Sequence, residues 1–360
     1  MRFASLLLIA GALFGNATFD EVAAQATAAR NANDVPRAIE LYRQAVGLNP
    51  KWQEGWWFLG TFLYASDQSA AARDAYQHVV ELNPNMGPGW GLLGVCEFRT
   101  AEYPQALAHI QKSLALGMGK EPQIGDVLRY HEAVLLGKTG NFDTAIERFA
   151  PFVRAGTPTA ETMTAFGVVA LRLPLVPTEV PPDQRDLIKA AGKAAVLAMR
   201  GDPAADGAFR ELLERFPKAK NVHFLYATHL LAIDQPHAIA EFERELEANP
   251  HNAAAESMLA LAHSVNGEAA QALTFAERAV KDDPASAKAQ YTLGRVLVET
   301  GQVKPGIDHL EAAIKLDPAS VENHVELATA YPKAGRYEDA KRERFRTLEL
   351  MKEQTDAAAH

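Results

Sequence analysis

Cysteine is nearly absent: Cys96 stands alone in 360 residues. One thiol excludes any intramolecular disulfide and any cysteine-built zinc cluster. Its place in an apolar helical segment gives it the role of a small buried hydrophobe. Positive charge is also scarce. Thirty-six Lys and Arg against 45 Asp and Glu leave a formal charge of −9. The clustered cations that binding to nucleic acid or an anionic membrane requires are therefore missing, and no nucleic-acid partner is expected. The densest basic run, Lys341 to Arg346, is interrupted by Glu343 and reads as a solvated helix face.

Long hydrophobic runs are lacking too. The apolar run from Phe3 to Phe14 is too short to span a bilayer comfortably. Arg2 precedes it, and Gly15 and Ala17 follow with the spacing of a signal-peptidase site, so residues 1–17 read as a secretory signal cut after about Ala17. An uncleaved anchor is the less favoured alternative. Ala24-Gln25-Ala26 fits the same small-x-small pattern, but a cut there would remove the start of the first helix. No cysteine follows the run, which disfavours a lipid anchor. The mature chain is expected to be periplasmic or secreted, without membrane insertion after cleavage.

Catalytic motifs are missing as well. The chain has no G-x-x-x-x-G-K-[ST], H-E-x-x-H or G-x-S-x-G sequence. Gly89 to Gly94, "GWGLLG", matches a dinucleotide fingerprint, but no strand precedes it. None of the eleven histidines has another at i+3 or i+4, so His78, His109, His131, His223 and His229 read as ordinary helix residues. Glu241, Glu243, Glu245 and Glu247 read as a solvated face. No catalytic residue, cofactor or metal is expected.

What the sequence does have is a period. Pro250, Pro284 and Pro318 are 34 residues apart, Pro50 and Pro84 repeat the interval, and Pro217 precedes Pro250 by 33. A fixed period of this size marks an array of stacked repeats. Around the prolines one pattern recurs: Trp56-x-x-Leu59-Gly60, then Ala72-x-x-x-Tyr76, then Pro84; Trp90-x-x-Leu93-Gly94, then Ala106-x-x-x-Ile110; Leu293-Gly294 and Leu327-Ala328; Ala238-x-x-x-Phe242, Ala272-x-x-x-Ala276 and Ala340. Small residues such as Gly60 and Ala72 let two helices approach, and each proline ends one helix before the next begins.

The pattern resembles the tetratricopeptide repeat family over nearly all of the mature chain. The resemblance implies an all-α fold, a right-handed superhelical solenoid of antiparallel helix pairs with about nine to ten repeats. The expected organisation is a signal at 1–17, an N-terminal sub-array at 18–173, a proline-rich loop at 174–184, a C-terminal sub-array at 185–354 ending in a charged capping helix, and a frayed tail at 355–360. Four prolines at 174, 177, 181 and 182 exclude a helix across the loop, which is a bend, a binding loop or a tolerated surface insertion.

The adjacent indoles Trp56 and Trp57 cannot face one core, because neighbouring helical residues point about 100° apart. Trp56, Leu59, Gly60 and Leu63 share an i, i+3, i+4, i+7 face that suits the core. Glu54, Trp57, Thr61 and Tyr64 form a second stripe, which in this family lines the concave groove. The same phases give Gly91, Tyr130, Thr164, Phe224, Ser257, Tyr291, Val325 and Phe98, with Arg295 one turn beyond Tyr291. A partner-binding groove of Glu54, Trp57, Thr61, Tyr64, Phe98, Tyr130, Phe224, Tyr291 and Arg295 is expected, its rings supplying rigid contact area. Tyr130 and Phe224 have the alternative of packing between repeats. Thr61, Val95, Val134 and Val168 stand where relatives that clamp a C-terminal carboxylate present Asn, which argues against that clamp. The resemblance implies a scaffold or adaptor of the cell envelope that binds a protein or peptide in the groove. Two alternatives remain: an accessory subunit of an envelope enzyme or polysaccharide complex, binding through convex faces or array ends, and an enzyme centred on Asp183, Arg185 and Asp186.

Overall fold

Proline at the first turn, Asn or Asp before it, and apolar residues at helical spacing should give short helices with abrupt ends. The computed structural model describes residues 18–155 and 158–358. Among them it has nineteen α-helices, four short 3-10 turns and no strand. The expected signal segment lies outside the described residues.

Backbone packing divides the chain into two units that meet between Leu135 and Leu136. The first holds α1 (Phe19–Asn31), α2 (Val35–Leu48), α3 (Gln53–Ala65), α4 (Ser69–Leu82), α5 (Gly87–Arg99) and α6 (Tyr103–Ala115). These pack as consecutive pairs, α1 on α2, α3 on α4 and α5 on α6, with α2 and α4 each also touching the next helix. The helix α7 (Pro122–Lys138) carries the division.

The second unit holds α8 (Phe142–Arg154), α9 (Ala160–Ala170), α10 (Arg185–Met199), α11 (Ala205–Arg215), α12 (Val222–Leu230), α13 (Gln235–Ala248), α14 (Ala253–Val265), α15 (Ala269–Asp282), α16 (Ala287–Glu299), α17 (Val303–Leu316), α18 (Val321–Ala330) and α19 (Tyr337–Ala358). Its pairs are α9/α10, α12/α13, α14/α15, α16/α17 and α18/α19, with α10 also against α11. The fold is thus a solenoid of helix pairs. Because α19 runs to Ala358, residues 355–358 of the expected tail are helical.

The proline-rich segment does not divide the units but lies inside the second. Its 3-10 turns, Pro177–Glu179 and Pro182–Gln184, pack on α9 and α10. Val176 and Val180 are buried, and Glu179 accepts the Val176 N–H at 3.0 Å and pairs with Lys138 at 2.7 Å. Two apolar anchors and a salt bridge make it a packed strap rather than a linker.

The repeat turns follow from their sequence. Asn49, Asn83, Asp283 and Asp317, each just before a repeat proline, accept the N–H two residues on with Oδ1, at 3.1–3.2 Å. This side-chain turn is what Asx residues offer. Within pairs, glycine sets the approach. A β-carbon added to Gly294 would lie 2.8 Å from the Gly306 carbonyl oxygen, and one on Gly94 would lie 2.7 Å from Ile110. Fully buried rings, Tyr42, Tyr76, Phe149, Phe209 and Phe242, fill the seams between helices.

Candidate functional site

The repeat places one residue six positions after each proline, on the first turn of the next helix. Five of these residues have a hydrogen-bonding nitrogen, and it faces the proline's carbonyl. Trp56 Nε1 donates to Pro50 O at 2.9 Å and Trp90 Nε1 to Pro84 O at 2.8 Å. Gln290 Nε2 reaches Pro284 O at 2.9 Å. His223 and His324 use Nε2 on Pro217 O and Pro318 O, at 3.2 and 3.1 Å. Trp56 is therefore not a core residue. It is half-buried, with its N–H tied to the turn and its ring stacked on His78 at 4.1 Å. An indole spans the gap between helix and turn only from the rim of the seam, which is why the core face passes to Leu59 and Leu63.

The groove stripe is brought together only in part. In the first unit Glu54 and Thr61 are exposed, and Trp57, Tyr64, Phe98 and Tyr130 are half-buried. Trp57 packs its ring edge on buried Tyr76 at 5.7 Å, and the Tyr76 hydroxyl lies 3.3 Å from Thr61 Oγ1. The Arg99 guanidinium covers Tyr64 at 4.3 Å and pairs with Asp67 at 3.2 Å. Phe98 meets His131 edge to face at 4.8 Å, and Tyr130 also touches His131. Gly91, in the same phase, is closed off: a β-carbon there would lie 2.9 Å from Ser113 Oγ and 3.2 Å from Leu128.

In the second unit Phe224 and Tyr291 are buried, at 6% and 2% exposure, and do not present a groove face. Phe224 lies against Phe242 at 5.5 Å and under the Arg172 guanidinium at 5.3 Å. Tyr291 belongs to a cluster with Leu310, Leu327 and Tyr331, and burial pushes its hydroxyl up to about 12. The stripe position there touches the adjoining helices, so a large ring becomes part of the packing. Arg295 stays half-exposed but is held by Glu299 at 2.9 Å. Ser257 is also buried, whereas Val325 is exposed.

Two shallow clefts lie outside that stripe. In the first unit a cleft of about 330 Å³ is lined by Arg73, Asp74, Gln77, His78, Glu97 and Glu102. Arg73 bridges Asp74, at 2.7 Å, and Glu102. In the second a cleft of about 490 Å³ is lined by Pro217, Lys218, His223, Arg244, Glu247 and Ala248.

The carboxylates under these surfaces were hidden from a reading of alternation. Glu243 and Glu247 are exposed as expected, but Glu241 and Glu245 are buried. Glu241 takes His223 at 2.6 Å and Arg244. Burial alone would raise its carboxyl, yet His223, Arg244 and His237 outweigh that and hold it below the usual range. The same bond raises His223 above the ordinary histidine value. Glu245 accepts the backbone N–H of Asn221 at 2.8 Å and of Phe224 at 3.3 Å, capping α12 from α13. Glu97, also buried, receives His109 at 2.8 Å. His223 and His109 each join the two helices of a pair, and the column of residues six past each proline was the signal that would have found His223.

Cys96 is buried, and burial pushes its thiol up to about 12. Asp183, Arg185 and Asp186 are exposed. Among the described residues there is no cluster of three or more His, Cys, Asp or Glu able to hold a metal ion. No helix there is long and apolar enough to cross a membrane.

Comparison with known proteins gives two family matches. The tetratricopeptide repeat model matches residues 23–87 and 236–287. The model of subunit 3 of the anaphase-promoting complex, or cyclosome, matches residues 266–342. Curated proteins give no match. Among solved structures, "MamA 41-end from Desulfovibrio magneticus RS-1" is 21% identical, covering 47% of this chain and 96% of its own, with a TM-score of 0.40. A second, "Crystal structure of MamA", is 20% identical over 48% of this chain and 95% of its own, with a TM-score of 0.37.

Proposed function

From a chain built of tetratricopeptide repeats, we propose a non-catalytic adaptor of the cell envelope that holds a peptide or a partner's extended segment against the first unit. The repeat array itself supports the broader part of this reading, a protein-interaction scaffold. The observation that carries the finer part is the row of half-buried rings Trp57, Tyr64, Phe98 and Tyr130 beside exposed Glu54 and Thr61. Partly exposed aromatic rings add contact area at small entropic cost, because each has only two rotatable side-chain bonds. Export is part of the proposal. Thr18 caps α1 and shares a capping box with Glu21, so a cut after Ala17 keeps the first helix intact.

The test compares the mature chain with a Trp57→Ala, Tyr64→Ala double variant in a crosslinking capture from envelope extract, with folding checked by circular dichroism. A protein captured by the native form and lost with the folded variant supports the surface. Unchanged capture moves the binding site elsewhere. A second reading, an accessory subunit that binds through convex faces or array ends, is favoured by the charged cleft at Arg73, Asp74 and Glu102, whose lining does not include the aromatic stripe. Loss of capture with Arg73→Ala alone would select it. Sequencing the N-terminus of the exported protein tests the cleavage site, which is expected to expose Thr18.

A further inference from the structure

Six repeats have a proline followed six residues later by the first turn of a helix, and five of them close that turn with a nitrogen facing the proline carbonyl. The sixth has Glu256. Its side chain is fully buried, at 0% exposure, six residues after Pro250. An ionised carboxylate has only lone pairs to offer, so in that form Glu256 cannot make the donor contact to a proline carbonyl that the other five residues make from the same position. The rest of this turn departs from its relatives in the same way. Asn249 does not form the side-chain turn of Asn49 and Asn83; its amide turns to Glu245 at 3.4 Å. The Pro250 carbonyl takes Arg278 Nη2 instead, at 3.4 Å, and that nitrogen stands 2.7 Å from Glu256 Oε1.

We propose that Glu256 is a proton-operated latch on the Pro250 turn. Protonated, its carboxyl donates to Pro250 O and closes the turn as Trp56, Trp90, His223, Gln290 and His324 do in theirs. Ionised, it cannot donate, Arg278 is drawn to the carboxylate, and the turn is held only through that guanidinium.

The groups facing the carboxyl come from each side of the seam. Arg278 and Asp282 approach from α15, and His251 in the turn is bonded to Asp282 at 3.0 Å. From α13, buried Glu245 reaches the neighbouring Asn252 side chain at 3.1 Å. Burial is the largest influence; it and Asp282 raise the carboxyl, Arg278 and His251 lower it, and the result is about 7 against 4.5 for a free glutamic acid. A group whose folded value is raised contributes stability that is full below the unfolded value. The contribution is lost as pH rises through the folded value. The latch is therefore closed in mild acid and opens through about pH 7.

The experiment follows thermal unfolding of the full chain and its Glu256→Gln variant from pH 5 to pH 8. Glutamine keeps an N–H donor at every pH. Relative to the variant, the native chain should lose several degrees of melting temperature as pH rises, with a midpoint near 7. A difference that stays flat across this range overturns the latch. Infrared titration of the native chain gives a second readout that does not depend on the folding of the Glu256→Gln variant. A protonated-carboxyl stretch should disappear through about pH 7, and Arg278→Gln should move that midpoint upward. No such band, or a midpoint indifferent to Arg278, is equally fatal to the proposal.

Discussion

Ala101 shows how far the repeat geometry overrides a single residue. It occupies the turn between α5 and α6 with φ of 63°, where the equivalent turns before α15, α17 and α19 use Gly267, Gly301 and Gly335. A β-carbon in this left-handed region crowds the following carbonyl, at about 1–2 kcal/mol. The strain persists because the helices on both sides fix the chain direction. Ala101→Gly relieves it but widens the unfolded ensemble by roughly 0.4–1 kcal/mol. The expected net effect is a gain of about 0.5–1 kcal/mol, read as a rise in denaturation midpoint. A fall would mean that the Ala101 methyl makes a favourable contact.

At the scale of the helix, the closest crossings decide what the array tolerates. Gly294 on α16 and Gly306 on α17 obstruct each other: a β-carbon on either would lie 2.8 or 2.7 Å from the other's carbonyl oxygen. The obstruction is backbone, which cannot rotate away as a side chain can. Gly294→Ala should therefore destabilise by roughly 1–3 kcal/mol despite alanine's better helix propensity, measured by denaturant unfolding at one pH. Such positions were legible in advance. The helix pairs, their breaks at the prolines, and Gly60, Gly94 and Ala106 follow from a 34-residue period and from the size of side chains. Less legible was which side of a helix the adjoining helices cover. Tyr291 and Trp57 share one phase, yet Tyr291 is buried with Leu327 and Tyr331 while Trp57 is half-exposed. Local periodicity specifies direction around one helix, not what packs on that direction. Glu241 and Glu245 were missed for the same reason, since their partners His223 and Asn221 come from another helix.

At the scale of the molecule, the helix pairs of each unit touch chiefly their neighbours in sequence, and this sets how a local change spreads. In the second unit α16 packs on α17, α15 and α14, and α17 reaches α18, whereas α9 packs on α8 and α10. Stability in such an array is close to a sum of repeat terms and nearest-neighbour interface terms. A strained α16/α17 crossing should then lower the opening free energy of its own pair and of the two flanking pairs, and decay from there. Amide hydrogen exchange of Gly294→Ala against the native chain measures this directly. Faster exchange is expected through α14 to α19, with α9 and α10 keeping native protection. Uniform acceleration across α9 to α19 would instead identify the second unit as a single cooperative block. In that case the Pro250 turn at its centre would gate the whole unit rather than one seam, and opening Glu256 above pH 7 would loosen every pair in it together.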